Sequence, residues 1–106
     1  MNNISVDELK ARMDRGEKIN LIDVREPHEY AEANIAGARL YPLGKIQTMQ
    51  VDELEDLKDE EVIIQCRSGH RSMMACMVLD QLGFKNTNNL VGGILAWQEK
   101  YPVQKG

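Results

Sequence analysis

The stretch VIIQCRSGHRSMMACMVLDQLG, Val62 to Gly83, decides the fold. Its first four positions, three of them β-branched, read as a short buried strand, and a helix from about Arg71 to Leu82 follows, with Gly83 as its stop. A strand that runs through a short loop into a helix is half of a βαβ unit, and its counterparts lie on both sides. Upstream, Ser5 and Glu8 have the spacing of a capping box. Leu9 and Met13 then fall on one helical face before Gly16 ends the helix. Ile19–Val24 is a second buried strand, Pro27 opens a short helix to about Ala31, and residues 38–43 make a weaker strand followed by one or two helices over about 44–58. Downstream, a strand at Asn89–Val91 leads through Gly92-Gly93 to a last helix over Ile94–Lys100. The alternation predicts the α/β class: a single domain over residues 1–106, with a mostly parallel central sheet and helices on both faces.

Composition narrows the function. The chain of 106 residues carries 13 Lys and Arg against 17 Asp and Glu, a net charge of −4. Residues 52–61, DELEDLKDEE, concentrate acid and read as a solvated helix face and the turn after it. No basic stripe with interleaved aromatics appears, so nucleic acid is not an expected partner. No apolar run has the length of a membrane span, and the N-terminus has neither a secretory h-region nor Arg-rich transit character; a cytoplasmic protein without a membrane partner is expected. The two cysteines, Cys66 and Cys76, form no C-x-x-C pair and are expected to be thiols. Neither His28 nor His70 has metal-ligand spacing with them, and no phosphate loop, nucleophile elbow or dinucleotide fingerprint occurs. No metal or organic cofactor is expected.

Parallel sheets bind ligands outside the carboxyl ends of their strands. Two unusual stretches fall there: DVRE after the first buried strand, and CRSGHRS after the second. A loop closing on a helix N-terminus offers unpaired N–H groups, and Arg67, Ser68, Gly69, His70 and Arg71 can wrap them around an anion, with Gly69 free to take backbone angles other residues resist. A free cysteine is only about 3% thiolate at pH 7, and lowering its pKa by two units needs about 2.7 kcal/mol. A helix dipole supplies at most about 2 kcal/mol, so amide hydrogen bonds and the field of Arg67 and Arg71 are expected to add the rest. Cys66 is therefore the candidate reactive thiol. Cys76, within seven consecutive apolar residues, is expected to be packed and inert. His70 reads equally as a donor to a bound anion and as a solvent-facing residue.

The residues resemble the rhodanese-like sulfurtransferases, specifically the small single-domain type. LIDVREPHEYAEANIAGA at 21–38, VIIQCRSGHRS at 62–72, LDQLGF at 79–84 and LVGGILAW at 90–97 carry the resemblance in family order. It implies a rhodanese-like domain in which Cys66 carries a persulfide and Arg67 to Arg71 cradle it. It also implies a ping-pong reaction: a small anionic sulfur donor such as thiosulfate loads the cysteine, and cyanide or a thiol, including a protein thiol, accepts the sulfur. Asp23 and Arg25 match the family's Asp-x-Arg and are expected to support the site, Asp23 by orienting backbone and Arg25 by pairing with Glu26 or Glu29. Residues 33–37, Ala-Asn-Ile-Ala-Gly, depart from the usual Gly-His-Ile-Pro-Gly; Asn34 can still donate a hydrogen bond. A persulfide carrier serving a partner protein is the alternative. A phosphatase or arsenate reductase is a weaker one, because only four residues separate Cys66 from Arg71.

Overall fold

The computed structural model describes residues 1–106. Its elements are β1 (Asn2–Ile4), α1 (Val6–Asp14), β2 (Leu21–Asp23), α2 (Pro27–Glu32), β3 (Arg39–Leu40), α3 (Leu43–Gln47), a 3-10 helix (Asp52–Leu57), β4 (Glu61–Gln65), α4 (His70–Gln81), β5 (Asn86–Leu90) and α5 (Gly93–Gln98). The strands form one sheet in the order β1-β5-β4-β2-β3, and every pairing is parallel. The expected mostly parallel sheet is thus parallel throughout.

Strand alternation divides the interior into two layers. Ile22 and Val24 of the β2 segment and Val62 and Ile64 of β4 face one way, where Ile46 of α3, Leu54 of the 3-10 helix and Ala75, Cys76 and Leu79 of α4 cover them. Leu21, Ile63 and Leu90 face the other way, against Val6 and Leu9 of α1 and Ile94 and Trp97 of α5. In register, Leu21 sits beside Ile63 and Ile22 beside Ile64. Fully burying one such side chain contributes about 1.5–3 kcal/mol. Ser5 caps α1, accepting the Glu8 N–H at 3.1 Å. No helix is long and apolar enough to cross a membrane.

β2 and β3 are shorter than the expected Ile19–Val24 and 38–43, and two strands differ more. β5 begins at Asn86 rather than Asn89, and β1 lies where the sequence offers no apolar run. NTNN has the composition of a loop, yet Thr87, Asn88 and Asn89 are buried because their side chains find partners. Thr87 donates to Asp80 at 2.6 Å, Asn88 to Glu61 at 3.3 Å and Asn89 to Gly69 O at 3.2 Å. Paired amides can occupy an interior that rejects unpaired ones. β1 then only needs to bury Ile4 against that strand.

The acidic stretch behaves as expected over the 3-10 helix, where Asp52, Glu53, Glu55 and Asp56 face solvent and Leu54 faces in. Glu61 does not. It begins β4, accepts Asn88, and pairs with Arg12, whose Nη1 lies 3.1 Å from its Oε2.

Candidate active site

The carboxyl ends of β2, β4 and β5 meet with the N-termini of α4 and α5, and Cys66 occupies that junction one residue past β4. The loop's carbonyls are tied outward. Cys66 O accepts Ile94 N at 2.9 Å and Gln65 Nε2 at 3.0 Å, while Arg67 O accepts Leu95 N at 3.1 Å. Gly69 O accepts Met73 N at 3.3 Å and Asn89 Nδ2 at 3.2 Å. With the carbonyls so engaged, the N–H groups between them turn toward the sulfur. Gly69 N–H donates to Cys66 Sγ at 3.1 Å, and the N–H groups of Ser68 and Ser72 also point at it.

Two glycines make this curl feasible. Gly69 has φ 105°, left-handed backbone that residues with a Cβ adopt with strain. Gly93 has φ 57°, and a Cβ there would lie 2.5 Å from the carbonyl oxygens of both Cys66 and Arg67. Only a glycine lets α5 come near enough to hold the loop.

Cys66 is 1% exposed, and burial alone would push its thiol up. The Ser72 hydroxyl, 3.3 Å from Sγ, and the amides of Ser72, Gly69 and Ser68 outweigh that effect and hold it below the ordinary thiol range. The Ser72 hydroxyl adds to the expected amides, and Arg71 remains close enough to attract the Cys66 sulfur electrostatically. Arg71 is committed elsewhere: its Nη1 and Nη2 pair with the two carboxylate oxygens of Glu29 at 2.8 and 2.9 Å. The bond from Arg71, set against burial and helped by the Glu26 N–H, pulls the Glu29 carboxyl down to about 2. Arg67 is exposed and has no ion-pair partner, so it is the free cation at the loop. It borders a cleft of about 370 Å³ that Arg25, His28, Glu32, Leu95 and Gln98 also line. Ser68 and His70 are exposed. Cys76 is buried and lacks a comparable ring; burial pushes its thiol up to about 12 despite the Thr87 hydroxyl.

Asp23 does orient backbone, accepting the Arg25 N–H at 3.0 Å. The expected partner of Arg25 is corrected. Arg25 pairs with Asp23, Nη2 to Oδ2 at 2.7 Å, and with neither the Glu26 nor the Glu29 carboxylate. Both side chains are buried, Asp23 at 0% and Arg25 at 4% exposure, and the adjacent carboxylate satisfies the guanidinium while Glu26 is exposed and Glu29 is taken by Arg71. The remaining donors of Arg25 reach the carbonyls of Glu29 at 3.4 Å and Ala33 at 2.7 Å. This fixes α2 and thereby aims Glu29 at Arg71. Asn34 donates to Tyr30 O at 3.0 Å, as its side chain allowed.

Two residues at the site were missed by the sequence reading, Ser72 and Asn89, and Glu29, expected to pair with Arg25, pairs instead with Arg71. Ser72 carried a usable signal, since a hydroxyl in the first turn of a helix that begins at the loop faces back toward it. Asn89 arrives from another element and carried none.

A model of the rhodanese-like domain matches residues 5–100. The Bacillus subtilis protein YtwF, a candidate sulfurtransferase by name, is 44% identical over 96 residues, which cover 90% of this chain and 88% of that protein. A protein of Allochromatium vinosum named sulfurtransferase is 39% identical over 97 residues, covering 92% and 88%. A second Bacillus subtilis relative, YrkF, named as a candidate sulfur carrier, is 38% identical, but the chain spans only 51% of its length. Among solved structures, a rhodanese-like domain protein from Staphylococcus aureus superposes with a TM-score of 0.85 at 30% identity, covering 100% of this chain and 99% of that one.

Proposed function

The chain belongs to the rhodanese-like domain family, and from that premise we propose that it is a sulfurtransferase whose Cys66 carries sulfane sulfur as a persulfide between a small anionic donor and a thiol or cyanide acceptor. Sulfur transfer as the class of chemistry accords with the names of its relatives. One observation carries the finer reading: Cys66 Sγ sits inside a ring of N–H groups, with Gly69 N at 3.1 Å, at the N-terminus of a helix of 12 residues. Such a ring favours a sulfur anion over a thiol.

In the loading step the Cys66 thiolate attacks the outer sulfur of thiosulfate. A sulfur–sulfur bond forms to Sγ, the sulfur–sulfur bond of the donor breaks, and its electron pair leaves with sulfite. Unpaired Arg67 is suited to the donor's sulfonate oxygens, whereas Arg71, held by Glu29, supplies a fixed positive field. In the discharge step the protonated outer sulfur is attacked by an acceptor thiolate, and Sγ departs as the thiolate that the amides stabilise. Ser68, Gly69 and His70 contribute the backbone that shapes the ring, and the Asp23–Arg25 pair supports it from β2. No metal or organic cofactor takes part in these steps.

Persulfide relay to a partner protein is the second reading, favoured by the likeness to YrkF. A phosphatase is disfavoured, because the arginine that would grip phosphate is bound to a carboxylate at 2.8 Å. The test is intact mass after exposure to thiosulfate. A gain of one sulfur, about 32 Da, reversed by cyanide or a thiol, is expected. Absence of that gain with thiosulfate and with a persulfide donor alike would remove the reading.

A further inference from the structure

At the floor of the Cys66 loop, a single hydroxyl proton faces two acceptors. Ser72, fully buried in the first turn of α4, has its Oγ 3.3 Å from Cys66 Sγ and donates in a short hydrogen bond to Asn89 Oδ1 on β5. Asn89 is 7% exposed, and its Nδ2 donates to Gly69 O at 3.2 Å, which fixes the end of the carboxamide that meets Ser72. A serine hydroxyl has one hydrogen to give. While the sulfur keeps its proton, S–H donates to Ser72 Oγ and the hydroxyl donates to Asn89, so the whole chain is satisfied. A thiolate can only accept. The hydroxyl then turns to Sγ, and Asn89 Oδ1 loses its donor.

We propose that Asn89 is a positioning residue that competes with the Cys66 sulfur for the Ser72 hydroxyl proton, and thereby sets how readily the sulfur takes on negative charge. The inference rests on Cys66 being the reactive thiol of the proposed function. Ionisation sends the S–H proton to solvent; otherwise only a rotation about the Ser72 Cβ–Oγ bond is required, and no heavy atom moves. The hydroxyl therefore rests on Asn89 whenever Sγ is uncharged, as thiol or as the inner sulfur of a persulfide. It reaches Sγ when charge resides there, in the thiolate before attack and as Sγ departs. Asn89 thus keeps the ring from holding the thiolate so firmly that its nucleophilicity is spent, since nucleophilicity falls with pKa.

The charged and titratable groups around Sγ are Arg67 and His70 of the loop, Arg71 with its Glu29 partner, the Asp23–Arg25 pair at the end of β2, and Cys76 one turn along α4. All are retained in the test. The thiolate's ultraviolet absorbance is followed against pH in wild type, Ser72→Ala, Asn89→Leu and the double variant, each corrected by the same chain carrying Cys66→Ser. Ser72→Ala should move the midpoint up by about one pH unit, the scale of one lost hydrogen bond to an anion. Asn89→Leu also removes the bond to Gly69 O, and the double variant separates the two effects. With Ser72 present, the shift caused by Asn89→Leu should lie lower, by roughly half a pH unit or more, than the shift it causes with Ser72 absent. Asn89→Ala should give the same sign of coupling, and Ser72→Thr should preserve it. Equal shifts in the two backgrounds overturn the proposal, since a purely structural asparagine acts without regard to the hydroxyl. The readout uses no sulfur transfer, so a chain that shows the coupling but gains no mass contradicts the proposed function and leaves the role of Asn89 intact.

Discussion

A Cys66→Ser variant should fold and transfer no sulfur. Serine keeps the size class and can accept the Gly69 N–H that now reaches Sγ at 3.1 Å. Exchanging one small buried hydrogen-bonding group for another should cost only about 1 kcal/mol of stability. The chemistry has no such substitute, because a serine hydroxyl neither ionises in the accessible pH range nor forms a stable bond to a sulfane sulfur. Turnover with thiosulfate or a persulfide donor should fall by at least about three orders of magnitude, the scale of losing a nucleophile. Cys76 cannot take over, being buried and pushed up to about 12. Steady-state sulfur transfer and circular dichroism on the same preparation check both halves. Retained turnover in a folded variant would mean that another group carries the sulfur.

Asp23→Ala should be the most destabilising single change at the site. It leaves the Arg25 guanidinium, 4% exposed, with two carbonyl oxygens and no hydrogen-bonded carboxylate. Breaking a buried pair in this way costs about 3–5 kcal/mol, against a total stability of about 5–15 kcal/mol for a domain. The melting temperature should drop by roughly 12 °C or more. Replacing both partners, as in Asp23→Leu with Arg25→Met, should recover much of that loss, since most of it comes from the stranded charge. Denaturant titration of the three chains measures this. A loss under about 1 kcal/mol for Asp23→Ala would show that the pair does not order the corner where α2 presents Glu29 to Arg71.

The sequence was most legible where local chemistry and long-range packing agree. Val62–Gln65, the loop and α4 were read to within a residue, because a β-branched run, a glycine-bearing loop and the Gly83 stop mark their boundaries locally. Cys66 could be singled out because that loop ends at a helix N-terminus. The interior asparagines of β5 were illegible: their fitness for a buried strand depends on Glu61, Gly69 and Ser72, none of them close in sequence. The partner of Arg25 was misassigned for a related reason. Residues two apart on a strand share a face, so Asp23 was within local reach, but that both side chains are buried and pair with each other depends on the packing around the end of β2. Arg71 looked like a free cation because its neutralising Glu29 lies 42 positions earlier. The site's charge balance is thus a tertiary property, while its nucleophile is nearly a local one.

The account stands on inward-facing main-chain amides making sulfur at position 66 easier to ionise despite its burial. The direct measurement is the pH midpoint of thiolate absorbance, taken as wild type minus Cys66→Ser so that tyrosines and Cys76 cancel. A single transition centred clearly below the value of about 8.5 of a free cysteine is the predicted result. A midpoint at or above that value would mean that burial wins over the amides and the Ser72 hydroxyl, and it would contradict the account.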